Sequence, residues 1–206
     1  MTALINGSPK PSGSASAVLL KILKEHICGE LLETALRGPE PGDGCVKALA
    51  GADTWVFAFP LYVDGVPSHL LNCLCSLQAL AGEKRPRVYA VVNCGFYEGE
   101  QNRLALSVME NFCQRAGCRW CGGVGIGGGG SLTSLPRVPG EKGPMGPVEL
   151  ALRELGESIS AGAARDNRYV TVALPRLMYK LAGQMGWRKM IRANGGRARD
   201  LDKRIT

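Results

Sequence analysis

A cluster of serine hydroxyls with one lysine stands near the start of the chain, in the segment Gly7 to Ser16. An apolar run at residues 2–6 precedes it and an apolar-periodic run begins at Ala17, so the order predicts a buried strand, a turn and a helix that starts near Ser14. Unsatisfied amides at the helix N-terminus, four serine hydroxyls and the charge of Lys10 suit a phosphate. The alternative that this segment leaves open is a capped turn with a solvated lysine, although capping accounts for one serine and not four.

Strand and helix patterns alternate along the rest of the chain, which predicts an α/β fold with a doubly wound parallel sheet of five strands and helices on both faces. The run at 53–59 is continuously apolar, as expected of a strand that is covered on both faces. The expected strands lie at 2–6, 30–36, 53–59, 87–92 and 119–126. The first expected helix begins near residue 14, and a short helix or turn is expected at 42–51. Further helices are expected at 69–81, 101–116 and 148–161.

Three loops follow the first, third and fourth of these strands, at residues 7–14, 60–68 and 93–99. Ligands bind to such sheets outside the carboxyl ends of the strands, where the strand order reverses. We therefore expect the three loops to converge on one crevice.

The glycine run at Gly125 to Gly130 formally matches the dinucleotide-binding pattern G-x-G-x-x-G. That fingerprint requires a helix to start directly after it, whereas here Pro136 and further prolines follow within a long Pro/Gly-rich loop that extends to Pro147. We reject the Rossmann interpretation and expect a loop; a loop of this length could also close over a ligand.

The three loops in this order resemble those of the flavodoxin-like NAD(P)H-dependent FMN reductases and quinone reductases. The resemblance covers residues 1 to about 165. It rests on Gly7-Ser8-Pro9-Lys10 with Ser14 and Ser16, on Phe59-Pro60-Leu61-Tyr62, and on Asn93-Cys94-Gly95-Phe96-Tyr97. The first loop lacks the T-x-T-G-x-T run of electron-transfer flavodoxins, which favours a reductase over a carrier.

The resemblance implies a set of FMN-binding residues in each loop. The phosphate would be held by Ser8, Lys10, Ser14, Ala15 and Ser16. The isoalloxazine ring would lie along Pro60, Leu61, Tyr62 and Val63, with its other edge against Asn93, Cys94, Gly95 and Phe96. Taken one at a time, the aromatic side chains and Cys94 are better explained by packing, but their joint position at the sheet edge favours the flavin.

The function that the resemblance implies is an FMN-dependent oxidoreductase that passes hydride from NAD(P)H, through the flavin, to a quinone, a flavin or a similar small-molecule acceptor. No catalytic side chain is expected, because the flavin itself accepts the hydride. A flavodoxin-like electron carrier or flavin-binding module that docks a redox partner through the basic tail is the alternative.

Charge divides the chain into two parts. Residues 1–170 hold 16 Lys and Arg against 16 Asp and Glu, whereas residues 171–206 hold 9 against 2, which accounts for the net charge of +7. We expect a flavin-binding domain at 1–168 and a basic helical extension at 169–206, with Pro175 in the first turn of an amphipathic helix. Docking of this helix within a homodimer is favoured; contact with a membrane surface is the weaker alternative, and nucleic acid is not expected because no aromatic stacking platform accompanies the charge.

Composition excludes several other classes. The sequence has no apolar run of 18 or more residues and no secretory signal pattern at its N-terminus, so a cytoplasmic location is expected. Most of the eight cysteines are expected to be reduced thiols, because an α/β chain of this length does not depend on disulfides. The pair Cys118 and Cys121 has no second C-x-x-C or paired histidines beside it, so no metal site is expected.

Overall fold

The structure is a computed structural model that describes residues 1–80 and 84–202. It divides into two compact units, Met1–Ala173 and Leu174–Thr206. The first unit therefore includes the strand near residue 170, where the sequence placed the beginning of the extension.

The first unit is a parallel sheet with helices on both faces. Its strands are β1 (Thr2–Asn6), β2 (Leu31–Ala35), β3 (Thr54–Pro60), β4 (Arg87–Asn93), β5 (Arg119–Gly127) and β6 (Arg168–Thr171), in the order β2-β1-β3-β4-β5-β6. The doubly wound α/β prediction is confirmed, but the count of five strands is corrected to six. The sixth strand, RYVT, is short and nowhere fully buried, so it lacks the apolar run that marked the other strands.

Five helices cover the two faces of this sheet. They are α1 (Ala15–Lys24), α2 (Asp43–Ala50), α3 (Ser68–Leu80), α4 (Arg103–Ala116) and α5 (Gly146–Ala161). Helix α1 packs beside α5, and α3 packs between α2 and α4. Residue 81, the expected end of the third helix, lies outside the described residues.

The large apolar side chains of the central strands form the core. Trp55, Phe57 and Phe59 alternate along β3 and are fully buried with apolar residues of α2, α3 and α4. Their burial fixes the central strands, and with them the ends from which the loops leave. In the second unit, helix α6 spans Arg176–Ala193, directly after Pro175.

Candidate functional site

A cleft of about 210 Å³ lies at the carboxyl edge of the sheet. The strands that border the cleft end at the same level, because Pro60 of β3 pairs with Asn93 of β4, and Asn93 pairs with Ile126 of β5. The cleft is lined by Ser8, Lys10, Gly13, Ser14, Ala15, Ser16, Pro60, Tyr62, Asn93, Gly129, Gly130 and Thr133. The three loops expected to converge thus do so, and the segment after β5 joins them.

The N-terminus of α1 forms one wall of the cleft. Ser14 is the N-cap residue, and its Oγ accepts a hydrogen bond from the amide of Ala17 at 3.1 Å. Within the described part of the chain, the amides of Ala15 and Ser16 have no acceptor. These two donors, with Lys10 beside them, sit at the positive end of the helix dipole and make the wall suited to an anion.

Buried contacts hold this first loop in place. The amide of Gly7 donates to the carbonyl of Ala58 at 2.8 Å, and His69 Nε2 donates to the carbonyl of Gly7 at 3.1 Å. A Cβ on Gly7 would lie 3.0 Å from Leu70, so the glycine permits the close approach to α3. His69 is buried and supports the loop from behind.

Asn93 connects the first loop with the sheet. Its side-chain amide is buried and donates to Ser16 Oγ at 3.0 Å and to the carbonyl of Phe59 at 3.1 Å. Because Ser16 Oγ accepts this bond, the hydroxyl hydrogen of Ser16 remains available to a ligand. The sequence placed both residues at the cofactor but did not reveal that they bind each other.

The loop after β3 contributes an aromatic wall in a strained turn. Tyr62 lines the cleft and is half exposed, and its backbone amide and carbonyl both bond to Gly65. The two central residues of this turn, Val63 and Asp64, have φ of 49° and 56°. A β-branched residue in this region is an outlier, and such strain clusters at ligand sites. Val63 is fully exposed and Leu61 packs against the core, so neither lines the cleft.

Cys94 turns away from the cleft. Its thiol donates to the carbonyls of Phe96 at 3.8 Å and Glu98 at 3.7 Å, and it accepts from Asn102 Nδ2 at 3.5 Å. Burial raises the pKa of the Cys94 thiol, which is therefore neutral at pH 7. Cys94 thus shapes the loop after β4. Gly95 and Phe96 are exposed beside the cleft without lining it.

The segment after β5 was missing from the sequence-based site. Gly129, Gly130 and Thr133 reach the cleft because β5 ends beside β4. The available signal was that this segment leaves the carboxyl end of the strand beside β4, whose own loop was already expected at the site.

Arg137 ties the same segment to two helices. It forms a bidentate pair with Glu25, the C-cap residue of α1, at 2.8 and 3.0 Å, and donates from Nε to the buried carboxylate of Glu149 of α5 at 2.7 Å. The hydrogen bonds from Arg137 lower the pKa of Glu25. The segment that carries Thr133 is therefore held to the body of the domain by a charged cross-link.

Larger clefts also lie elsewhere among the described residues, and two of them have charged linings. One, of about 300 Å³, is lined by Arg137 and its neighbours, and the other, of about 340 Å³, lies between α1 and the edge strand β2. Their charged side chains pair with one another, as in Arg137 with Glu149 and Lys24 with Glu33. We assign the function to the smaller cleft, since it alone of the three combines free helix amides with an aromatic wall.

Solved structures with the same architecture are similar to this chain. NADPH-quinone reductase from P. pentosaceus matches with a TM-score of 0.57 and 14% identity, over 78% of this chain and 97% of its own. Two-electron reduced flavodoxin from Megasphaera elsdenii matches with a TM-score of 0.52 and 13% identity, over 78% and 99%.

Rubredoxin oxygen:oxidoreductase from Desulfovibrio gigas matches with a TM-score of 0.54 and 11% identity, over 78% of this chain but only 35% of that longer protein. No family model and no curated protein matches the sequence. The likeness shows that the fold is flavodoxin-like.

Proposed function

We propose that the chain is an FMN-dependent oxidoreductase that passes hydride from NAD(P)H to a quinone, a flavin or a similar acceptor. The observation that carries the proposal is one cleft lined both by Ala15 and Ser16, whose amides have no acceptor among the described residues, and by Tyr62 and Asn93. A phosphate at one end and a planar ring at the other match these two walls. The likeness to a quinone reductase supports the choice of reaction class.

The residues present fit FMN better than a dinucleotide. The amides of Ala15 and Ser16, the hydroxyl of Ser16 and the charge of Lys10 would hold one phosphate. Tyr62 would flank the ring. The glycine run at 125–130 opens no helix, since α5 begins only at Gly146, so it offers no second site for a pyrophosphate.

Binding and orientation are the chain's contribution to the reaction. FMN, when bound, supplies the atom that accepts and releases hydride. Lys10 and Tyr62 are the two titratable residues among those that line the described cleft. We give both a binding role, because the flavin itself accepts the hydride. Asn93 and His69 hold the phosphate loop from behind, so the bound group would meet a preformed site.

The second candidate function is a flavodoxin-like electron carrier, which the likeness to the Megasphaera flavodoxin and the basic extension favour. Steady-state oxidation of NAD(P)H by the FMN-loaded protein separates the two. A reductase turns over with a quinone alone, whereas a carrier requires a separate reductase.

The FMN assignment is tested by Ser14→Asp. Aspartate is a good N-cap residue, so α1 should keep its cap, while the new charge stands against the expected phosphate. We expect the affinity for FMN to fall at least tenfold, about 1.4 kcal/mol, in a titration followed by quenching of FMN fluorescence.

Ser12→Asp is the matched control, because Ser12 belongs to the same loop but is exposed and does not line the cleft. It should weaken FMN binding much less. Equal affinities for the two variants would refute the phosphate site, and a wild-type chain that does not bind FMN would refute the function.

A further inference from the structure

Helix α6 exposes an unusual number of large apolar side chains. None of its residues is buried. Soluble proteins seldom leave so many apolar side chains together in water without a binding role. The exposed fractions lie between 50% and 69% for Leu177, Met178, Leu181, Met185, Trp187 and Met190.

The charge of the helix has one sign. Five cations and no acidic residue occur between Arg176 and Ala193. The unit from residue 174 to 206 holds 9 Lys and Arg against 2 Asp and Glu, whereas residues 1–173 are balanced at 16 against 16. Charge complementarity therefore calls for an anionic partner. Two copies of α6 side by side would repel each other, which disfavours the helix-to-helix contact of a homodimer.

Three of the exposed apolar side chains and two of the cations share one side of the helix in succession. Leu177, Leu181 and Met185 recur every fourth residue, and Arg188 and Arg192 continue that side because they follow Leu177 by 11 and 15 positions. A groove on a folded partner requires an apolar stripe along the helix, which α6 has only in its first half. A lipid surface accepts the whole side, since apolar groups enter the acyl boundary and arginines reach lipid phosphates.

We propose that α6 binds the surface of an anionic lipid bilayer. The first half of the helix, at Leu177, Leu181 and Met185, enters the boundary between headgroups and acyl chains, and Arg188 and Arg192 bind the lipid phosphates. No helix in the described part of the chain is long and apolar enough to cross a membrane, so the contact is peripheral. The proposal does not depend on the flavin.

Sedimentation of the full chain with vesicles tests this contact. At low ionic strength we expect binding to phosphatidylcholine vesicles that contain phosphatidylserine, and little binding to pure phosphatidylcholine. Leu181→Asp and the double change Arg188→Gln with Arg192→Gln should each weaken binding at least tenfold, and added salt should weaken it further.

Leu104→Asp is the matched control. Leu104 lies on α4 and is 62% exposed, close to the 55% of Leu181, so the change is the same in chemistry and exposure but outside α6. It should leave vesicle binding unchanged. FMN affinity should be the same in all these variants, which separates this proposal from the proposed function.

Either of two kinds of result would overturn the proposal. The first is a wild-type chain that does not sediment with anionic vesicles at low salt, or a Leu181→Asp variant that binds as well as wild type. The second is a wild-type dimer in light scattering that Leu181→Asp converts to a monomer, with no vesicle binding, because a second copy would then be the partner of α6.

Discussion

Two glycine-bearing stretches meet at the same cleft, and Gly13 in the first has a different role from Gly127 and Gly129 in the second. In the loop at 7–16, Gly13 has φ of 60° and a Cβ there would touch nothing within 4 Å. In the run at 122–130, a Cβ on Gly127 would lie 2.0 Å from the carbonyl oxygen of Tyr97, and one on Gly129 would lie 2.6 Å from that of Cys94. The first glycine shapes a turn, whereas the second group lets two backbones touch.

This difference explains what the glycine run does. Gly127 and Gly129 allow the loop after β4 to lie directly against the end of β5, where the amide of Gly129 bonds to the carbonyl of Cys94 at 2.7 Å. The loop that carries Phe96 and the segment that carries Thr133 therefore pack directly against each other. A match to G-x-G-x-x-G here reflects close packing between a strand and a loop.

Gly127→Ala is the change with the largest expected effect on this contact. The added Cβ would overlap a backbone oxygen, which cannot rotate away as a side chain can, so the loop must shift or the strand must open. We expect the free energy of unfolding to fall by about 3 kcal/mol, measured by urea denaturation.

Gly44→Ala provides the control for that measurement. Gly44 lies in α2, and no atom stands within 4 Å of its added Cβ. Because alanine is the better helix former, this variant should be as stable as wild type or slightly more stable. A Gly127→Ala variant that loses less than about 1 kcal/mol would show that the loop gives way easily, and the contrast between the two stretches would disappear.

Arg137→Met tests whether the ion pairs of Arg137 hold the segment after β5 in place. The change leaves the buried carboxylate of Glu149 without its cation, and it frees the segment of Thr133 from α1. Because Arg137 is itself 41% exposed, we expect a moderate loss of stability, about 1 to 2 kcal/mol, in the same denaturation experiment.

The rate of FMN dissociation gives a second test of the role of Arg137. If Thr133 closes the cleft over the cofactor, Arg137→Met should also speed FMN dissociation severalfold in a stopped-flow displacement experiment. Arg115→Met is the control, since Arg115 is exposed on α4 and forms no ion pair among the described residues. Equal dissociation rates for the two variants would show that the segment does not close the site.

The sequence predicted the features of the site that depend on neighbouring residues. The cap at Ser14, the burial of β3 and the position of three loops at one edge follow from local pattern and from the geometry of parallel sheets, and the structure has all three. The inward turn of Cys94 depends on the fold of the short loop up to Asn102, which the residue types alone did not indicate. The bond from Asn93 to Ser16 joins residues that are 77 positions apart, and no local pattern encodes it.

The same reason explains the segment after β5. Its path over α1 is fixed by the pair of Arg137 with Glu25, which are 112 residues apart, and spacing along the chain does not select that partner. The sequence analysis missed strand β6 because its residues are only half buried and show no alternation of apolar and polar residues. Prediction failed where long-range contacts decide the structure.

Gly13→Ala has the smallest expected effect on stability and tests whether Gly13 lies in an open turn. The added Cβ points into open space, so its only cost is the left-handed conformation, about 1 kcal/mol. Gly38→Ala, in a loop without a positive φ and with 3.6 Å between its added Cβ and the nearest atom, should cost less than half of that or be neutral. A Gly13→Ala loss as large as that of Gly127→Ala would mean that the first loop is also closely packed, and the cradle would then not be an open turn.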